Sequence, residues 1–279
     1  MAEITLGADP EFAFVTVGTG SLVRPETVIR GARDNSTFGI DGAGRVAELR
    51  PAPATNPRGL VENIRTAMQE GINLFPAAQQ YHWKAGGVAE EEPMGGHIHF
   101  GHSELKDTER ASRVCSALNK TVAPLVLMAE DKEEAVMRRN GSNYGSLNGE
   151  QVWRGQAWGM EYRPLSSWLT SPSDALSVIT ASWLVAKNYD NDEFMDEVDR
   201  LPEVDNDFFQ DCNKKVMAIY LQGIAAAMKK AIGWKDALND MKPMFSLIIN
   251  GKSFNTAQDM KQSWGLKIPA LVATTAGAR

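Results

Sequence analysis

Four short segments set two chemically active side chains on either side of a single residue: Asp9-Pro10-Glu11, Glu48-Leu49-Arg50, His97-Ile98-His99 and Glu161-Tyr162-Arg163. In a strand, residues two apart share a face. Each pair is therefore expected to point one way, with Leu49, Ile98 and Tyr162 pointing the other. One such segment alone reads as an ordinary solvated sheet face. The set is less ordinary, because it combines paired acids, acid–arginine pairs and two imidazoles, and glycines flank two of its members. Glycine lets a ligand or another backbone come close. Asp9, Glu11, Asp41, Glu48 and Glu161 offer oxygen ligands suited to Mg²⁺ or Mn²⁺, and one imidazole pulls toward Mn²⁺ without excluding Mg²⁺. Five carboxylates over-charge a single ion, whereas two or three ions, or ions carrying phosphates, balance them. Arginines on the same face suit phosphoryl oxygens, and Arg138, Arg139 and Arg154 flank a polar loop at 140–145. Carboxylates, imidazole and arginine together describe phosphoryl transfer from a metal–nucleotide complex.

The histidine cluster needs the most care. Residues 96–102 hold three of the four histidines in the chain. Two imidazoles on one face can hold a metal, grip a phosphate or simply pack. His102 falls on the opposite face if the strand continues past Gly101, so it is expected to be structural, as is the isolated His82. Other nucleotide signatures are absent: there is no G-x-x-x-x-G-K-[ST], and Gly18-Thr19-Gly20-Ser21 lacks the third glycine of a dinucleotide fingerprint.

The elements that must position these side chains follow from periodicity. Strands are expected over 11–17, 45–50, 81–85, 97–100 and 158–163, with a hairpin turn at Asp41-Gly42-Ala43-Gly44. Pro10 cannot donate to a ladder, which puts Asp9 and Glu11 at a strand start, an edge or a bulge. Asn56-Pro57 opens a helix to about Phe75 with Leu60, Ile64, Met68 and Ile72 on one face. A second helix is expected over 107–129, with Pro124 inside it. Beyond Pro172 the pattern predicts a helix over 173–187 with Leu176, Ile179 and Trp183 on one face. An acidic solvated connection should follow over 190–207, and then a helix over 208–232 closed by Gly233. Strands and helices without regular alternation imply an α+β fold: a curved, largely antiparallel sheet with helices on its outer face and a helical C-terminal region. The expected division is a sheet-and-helix unit at 1–172, a helical region at 173–265 and a tail at 266–279.

Composition bounds the function. The chain has 279 residues, 43% of them hydrophobic, and a net charge of −6. That balance argues against a general polyanion-binding surface, so no nucleic-acid partner is expected. No apolar run reaches the length of a membrane span, and the N-terminus lacks the regions of a signal peptide, so a cytoplasmic protein is expected. Cys115 and Cys212 read as free thiols of a reducing compartment.

The ordered motifs resemble a known family. Gly7-Ala8-Asp9-Pro10-Glu11-Phe12, Asp41 with Val46-Ala47-Glu48-Leu49-Arg50-Pro51, Gly95-Gly96-His97-Ile98-His99-Phe100-Gly101, Arg139 with Tyr144-Gly145, and Gly159-Met160-Glu161-Tyr162-Arg163-Pro164 are similar to the glutamine synthetase-like carboxylate–amine ligases, and more narrowly to the amidoligase branch of tailed bacteriophages. The resemblance covers about residues 7–170. It implies a funnel-shaped sheet holding ATP and two or three divalent ions, Mg²⁺ or Mn²⁺. It implies that Asp9, His97 and Glu161 bind the ion on the outer phosphates, that Glu11, Asp41 and Glu48 bind the ion near the acceptor carboxylate, and that His99 contacts phosphate. Arg163, Arg139 and, more distantly, Arg154 would stabilise the transferring phosphoryl group. Asp9 stands where glutamine synthetases usually carry Glu. Nothing matches their adenylation loop, ammonia site or extra N-terminal domain, so glutamine synthesis itself is not expected.

The implied reaction activates a substrate carboxylate as an acyl phosphate, which an amine then displaces to give an amide or isopeptide bond. The substrates would be a small molecule or peptide bearing the carboxylate and the amine; a host-cytoplasmic setting follows if the protein is phage-encoded. An acid in residues 130–134 could take the amine proton, against the simpler reading of a solvated helix end. Two alternatives remain open at this point: a metal-dependent hydrolase, which has no need of phosphate-gripping arginines, and a non-catalytic phage protein that retains the fold. The resemblance allows a homo-oligomeric ring, but a monomer or dimer is at least as much expected, since the chain lacks a match to the domain that commonly completes neighbouring sites.

Overall fold

The structure, a computed structural model, describes residues 3–33, 35–42, 45–141, 145–147, 151–204 and 214–269, with the backbone alone for 140, 141, 214 and 215. The loop expected at 140–145, with Tyr144, thus lies largely outside the described residues, as do Ala43-Gly44 of the expected turn, residues 208–213 of the expected long helix, Cys212 and the tail from 270 onward.

The chain begins with β1 (Thr5–Val15), β2 (Leu22–Val23), α1 (Pro25–Val28), β3 (Phe38–Ile40), β4 (Ala47–Leu49) and α2 (Pro57–Leu74). A 3₁₀ turn leads to β5 (His82–Lys84), β6 (Val88–Ala89), β7 (Glu92–Pro93) and β8 (Gly96–Gly101). A second 3₁₀ turn precedes α3 (Thr108–Ala129), α4 (Lys132–Gly141), β9 (Trp153–Gln156) and β10 (Gly159–Tyr162). The helices α5 (Pro172–Lys187), α6 (Asp192–Asp199), α7 (Lys214–Met228), α8 (Trp234–Ile249) and α9 (Met260–Ser263) complete the described chain.

The main sheet is eight-stranded, runs β3-β4-β1-β8-β10-β9 with β2 and β5 joined to β1, and pairs antiparallel throughout. This is the expected α+β architecture. The strand carrying Asp9 is longer than predicted and central: β1 starts at Thr5, and Pro10 lies inside it. Proline is tolerated there because β1 changes neighbours at that point. Thr5 to Pro10 pair with β8, Glu11 and Phe12 pair with β4, and Ala13 to Val15 pair with β5. The break in the ladder that an edge would have supplied is supplied by this exchange.

Alternation divides the sheet as period two demands. Leu6, Phe12, Phe14, Leu49, Ile98, Phe100, Met160 and Tyr162 are fully buried in the main core against the helices. That cluster runs from Ile4 to Leu266, so the helices after Pro172 share one core with the sheet layer. On the other face Gly7, Asp9 and Glu11 give way along β1 to Ala13 and Val15, which pack with Val46, Ala89 and Met94 in a small separate cluster. The charged stretch is therefore closed at one end by an apolar plug.

The helices begin where their caps predict. Asn56 accepts from Gly59 N at 2.9 Å, Asp107 from Arg110 N at 3.0 Å and Ser171 from Asp174 N at 3.1 Å. Two expectations are corrected. The acidic connection expected over 190–207 is broken by a helix over its first half, where Asn191 caps α6, whose Phe194, Met195 and Val198 are buried; residues 205–207 lie outside the described residues. The charges that suggested solvent lie on the outer side of an amphipathic helix. The α5 helix is buried nearly all round rather than on one stripe: Ala175, Val178, Ile179, Leu184 and Val185 are buried, while Leu176 and Trp183 are only half-buried. It lies between β8, α2, α3 and α8, which leaves few of its faces to water. The helix α8, with Pro243 inside it, goes beyond the sequence reading.

Candidate active site

The register sets the site. Asp9 stands opposite His97, Glu11 opposite Glu48, and Glu161 opposite both His99 and Arg154 on its two sides. Five adjacent strands, β4-β1-β8-β10-β9, thus bring onto one face groups that are far apart in sequence. Gly7, opposite His99, leaves room for that ring, since a Cβ there would lie 3.3 Å from His99 Cβ.

The two imidazoles converge on one oxygen. His97 Nδ1 lies 3.2 Å and His99 Nε2 3.1 Å from Asp9 Oδ1, and His97 Nδ1 is 3.7 Å from Glu161 Oε1. The ligand atoms of Asp9, His99 and Glu161 lie within 4.8 Å of one another, a spacing that can hold a metal ion. The sequence resemblance names His97 for that set and His99 for phosphate; the geometry brings both rings to the same carboxylate. Trp158, 41% exposed at the β9–β10 turn, leans against His99 with ring centroids 5.0 Å apart.

Glu161 is 1% exposed and is the most heavily engaged carboxylate. Its Oε2 accepts from Arg154 Nε at 2.9 Å, Arg154 Nη2 at 2.6 Å and Gln156 Nε2 at 2.9 Å. Its Oε1 lies 3.2 Å from Arg163 Nε yet accepts no hydrogen bond of good geometry among the described residues. Leaving such an atom unsatisfied costs about 1–3 kcal/mol. An oxygen-rich donor set with a buried carboxylate oxygen open toward Asp9 and the imidazoles fits a divalent cation. Arg163, which follows β10 directly, also donates to Gln151 Oε1 at 3.1 Å.

The second acidic group lies one strand over. Glu11 Oε2 accepts from Gly95 N at 2.5 Å, and Glu48 pairs with Arg50, which also donates to the carbonyls of Ser36 and Ile40 at 3.3 Å. Burial raises the Glu11 carboxyl above its ordinary value despite the charge of His97 and the Gly95 amide. Burial, with the charge of Asp9, pushes Glu48 up to about 9, because Arg50 does not offset the crowding of Glu11 and Asp41 as well. Asp41, just beyond β3, is half-buried, as is Asp9. At Asp9 burial would raise the carboxyl, yet hydrogen bonds from His97 and His99 outweigh it and hold the group well below the carboxylate range. His97 shows the converse: burial lowers it, but Asp9, Glu11 and Glu161 together raise it. The site is short of positive charge around Glu11 and Glu48, where an ion would supply it.

The arginines divide differently from the sequence expectation. Arg139 donates to Glu130 Oε2 at 3.4 Å and to Ala135 O at 2.7 Å, in the wall of a separate cavity. Its neighbour Arg138 is the one within electrostatic reach of Glu11. Arg138 is buried, donates to Leu165 O at 3.1 Å and is lowered to about 10, chiefly by burial. Gln151, Gln156 and Trp158 were missed as site residues, and Arg138, named in the sequence only among the arginines beside the polar loop, was given no role in the site. Of the acids at 130–134, Asp131 and Glu133 are exposed at the start of α4, as a solvated helix end requires, but Glu130 and Glu134 are not. Glu130 pairs with Arg139, and Glu134 accepts from Gly87 N at 2.9 Å and pairs with Lys84 at 3.0 Å, tying α4 to the sheet. His102 caps the 3₁₀ turn before α3, as expected of a structural residue, its Nδ1 accepting from Glu104 N at 3.3 Å.

The glycines beside the histidines serve packing. A Cβ on Gly95 would lie 2.6 Å from His97 Nε2, and one on Gly96 would lie 2.4 Å from Ser166 O and 2.6 Å from the Trp168 ring. The segment after β10 crosses there, with Trp168 Nε1 donating to Gly96 O at 2.9 Å.

Comparison with known proteins assigns this arrangement to a class. Residues 6–266 match the family described as phage phiEco32-like COOH.NH2 ligase-type 2, and the chain belongs to that family of carboxylate–amine ligases. Among solved structures, the chain resembles the ligase PafA in its complex with the prokaryotic ubiquitin-like protein Pup, at 9% identity and a TM-score of 0.58 over 89% of this chain and 64% of that one. It also resembles a bifunctional glutathione synthetase from Pasteurella multocida, at 10% identity and a TM-score of 0.52 over 94% of this chain and 49% of that one. The chain thus spans less than two thirds of either, and these likenesses speak for the fold. No curated protein sequence matches.

Proposed function

We propose that the chain is an ATP-dependent ligase that joins a carboxylate to an amine through an acyl phosphate. The observation that carries this reading is the convergence of Asp9, His97, His99 and Glu161 on one buried patch, with Arg154 and Arg163 on the same carboxylate. The family supplies the ligase class.

In this reading the terminal phosphates of ATP lie over the charged face. Asp9 and Glu161 with the imidazoles would hold one Mg²⁺ or Mn²⁺ ion, Glu11, Asp41 and Glu48 would hold another, and a third would have to be shared; when bound, such ions would supply positive charge to the phosphoryl oxygens. Arg163, nearly buried, orients the equatorial oxygens of the transferring group, and Arg154 reaches them from the rim. Arg139 can share this task only by leaving Glu130. The substrate carboxylate attacks the terminal phosphorus and ADP departs; the amine then attacks the acyl carbon and phosphate departs. The substrate pair is a small molecule or peptide. We place the reaction in the host cytoplasm, on the phage character of the family; no helix among the described residues is long and apolar enough to cross a membrane.

The test is a titration with ATP and Mg²⁺ or Mn²⁺, following thermal stability and, with candidate amines and carboxylates present, ADP release. Metal–nucleotide should raise the melting temperature, and Glu161→Ala should abolish the rise. A folded protein indifferent to nucleotide would sink the reading. A metal effect unaltered by ATP would point to a hydrolase instead.

A further inference from the structure

We infer that Arg50 receives the carboxylate of the acceptor substrate, being freed for it when an ion among Glu11, Asp41 and Glu48 takes over Glu48. The inference rests on the ligase reading and adds to it a residue that meets the substrate. Place is the first support. Arg50 N donates to Thr37 O at 2.8 Å, so the strand geometry of β4 carries on through Arg50, whose side chain leaves on the face of Glu48. Its head group then turns away from β1: Nη1 donates to Ser36 O and Nη2 to Ile40 O, both at 3.3 Å, on the β3 side. Arg154 and Arg163 stand across the sheet, on β9 and just after β10. Three strand spacings separate β4 from β10, about 14 Å. A guanidinium turned toward β3 is out of reach of the phosphoryl group that those two arginines serve. The anion within its reach arrives on the β3–β4 side, where the reaction needs a carboxylate.

The way the head group is held is the second support. A Cβ on Gly39 would lie 2.8 Å from Arg50 Nη1 and 2.7 Å from Arg33 O, so β3 leaves the guanidinium room beside its two carbonyls. Those carbonyls hold it whether or not Glu48 does. The Arg50 side chain is 27% exposed against 5% for that of Glu48, which makes it the accessible member of the pair. A guanidinium also has more N–H groups than its contacts to Ser36, Ile40 and Glu48 use. Glu48 links the two events. An ion bound among Glu11, Asp41 and Glu48 draws on the negative charge that balances Arg50. The guanidinium is then left with two neutral carbonyls among the described residues, and a carboxylate beside the ion restores its balance. Pairs of this kind are among the stronger hydrogen bonds, and the planar fork of arginine suits a carboxylate.

The test uses the whole protein, ¹⁵N-labelled, and follows the Arg50 Nε–H and Gly39 amide signals by NMR while Mg²⁺ and then acetate, a simple carboxylate, are added. Mg²⁺ should shift the Arg50 signal as Glu48 passes to the ion, and acetate should shift it again, saturably. Arg50→Gln should weaken acetate roughly tenfold, the worth of one hydrogen bond to a charged group, read at the Gly39 amide. Its Mg²⁺ affinity, by calorimetry, should be kept or tightened. A residue that only held Glu48 in place would do the reverse, weakening Mg²⁺ and leaving acetate alone. Arg50→Lys, which keeps the charge and loses the fork, should fall between parent and Arg50→Gln, and it decides alone if Arg50→Gln unfolds. Three results would overturn the inference and leave the ligase reading standing: Mg²⁺ that binds without moving the Arg50 signal, acetate that leaves the signal still, or acetate bound as tightly by a folded Arg50→Gln chain. A parent chain that binds no Mg²⁺ takes down the metal reading, and the inference with it.

Discussion

The two faces of the central sheet are built from alternate residues of the same strands, and both are buried, yet they bear opposite burdens. Toward the helices, Leu6, Leu49, Ile98, Phe100, Met160 and Tyr162 are fully buried among other hydrocarbon side chains. Each such side chain stabilises the fold by about 1.5–3 kcal/mol. Toward the other side, Glu11, Glu48, His97 and Glu161 are buried almost as completely, but there burial disfavours the ionised carboxylates of Glu11 and Glu48. One face holds the fold together, and the other holds charges at close quarters that a cation would relieve. Accessibility alone cannot distinguish the two; what the neighbours are made of does.

That contrast can be broken at several points. The largest effect is expected on the apolar face: Phe100→Ala should lower unfolding free energy by about 3–5 kcal/mol, read from denaturant midpoints. On the charged face, His97→Ala and His99→Ala should each weaken Mn²⁺ binding by about 10–100-fold, in calorimetry, with unfolding much less affected than by Phe100→Ala. A ring whose removal leaves affinity unchanged is not part of the ligand set. Between the faces, Gly96→Ala forces a methyl to within 2.4 Å of Ser166 O and should cost about 1–3 kcal/mol, with Trp168 fluorescence shifting as the ring is displaced. The smallest effect concerns Glu48. Its carboxyl is held up to about 9, against about 4 in an unfolded chain. Between those values the folded state keeps a proton that the unfolded state releases, so metal-free stability falls as pH rises through the window. Glu48→Gln removes this dependence. Its melting temperature should therefore exceed that of the parent by more at pH 8 than at pH 5, by about a few degrees.

Much of this was legible in the chain. Period-two alternation around Glu48, His97 and Glu161 gave the strands and the side on which each charged pair lies, and the cap Asn56 with Pro57 gave one helix start. What was not legible depends on partners distant in sequence. Whether Pro10 marks an edge or an exchange of neighbours is decided by β8 and β4, which arrive much later. Arg138 and Arg139 are adjacent and chemically identical, and only the packing of α4 against β6 and β7 decides which one approaches Glu11. The short strand β9 carries exposed or half-buried residues without alternation, so Gln156 gave no signal of its contact with Glu161. The glycines around His97 were read as room for a ligand or another backbone; Gly95 makes room for the His97 ring, and Gly96 for the Ser166 backbone and the Trp168 ring.

The pairing of β1 with β8 and the cross-sheet contact to β10 have a consequence for how the protein comes into being. At about 5–20 residues per second, a ribosome releases Asp9 roughly 8–30 s before Glu161 exists to join it. Through that interval the first strand, with Phe12 and Phe14, has no β8 beside it and no α3 or α5 to cover its apolar side. The nascent chain must keep this strand from other chains until synthesis has passed β10 and α5.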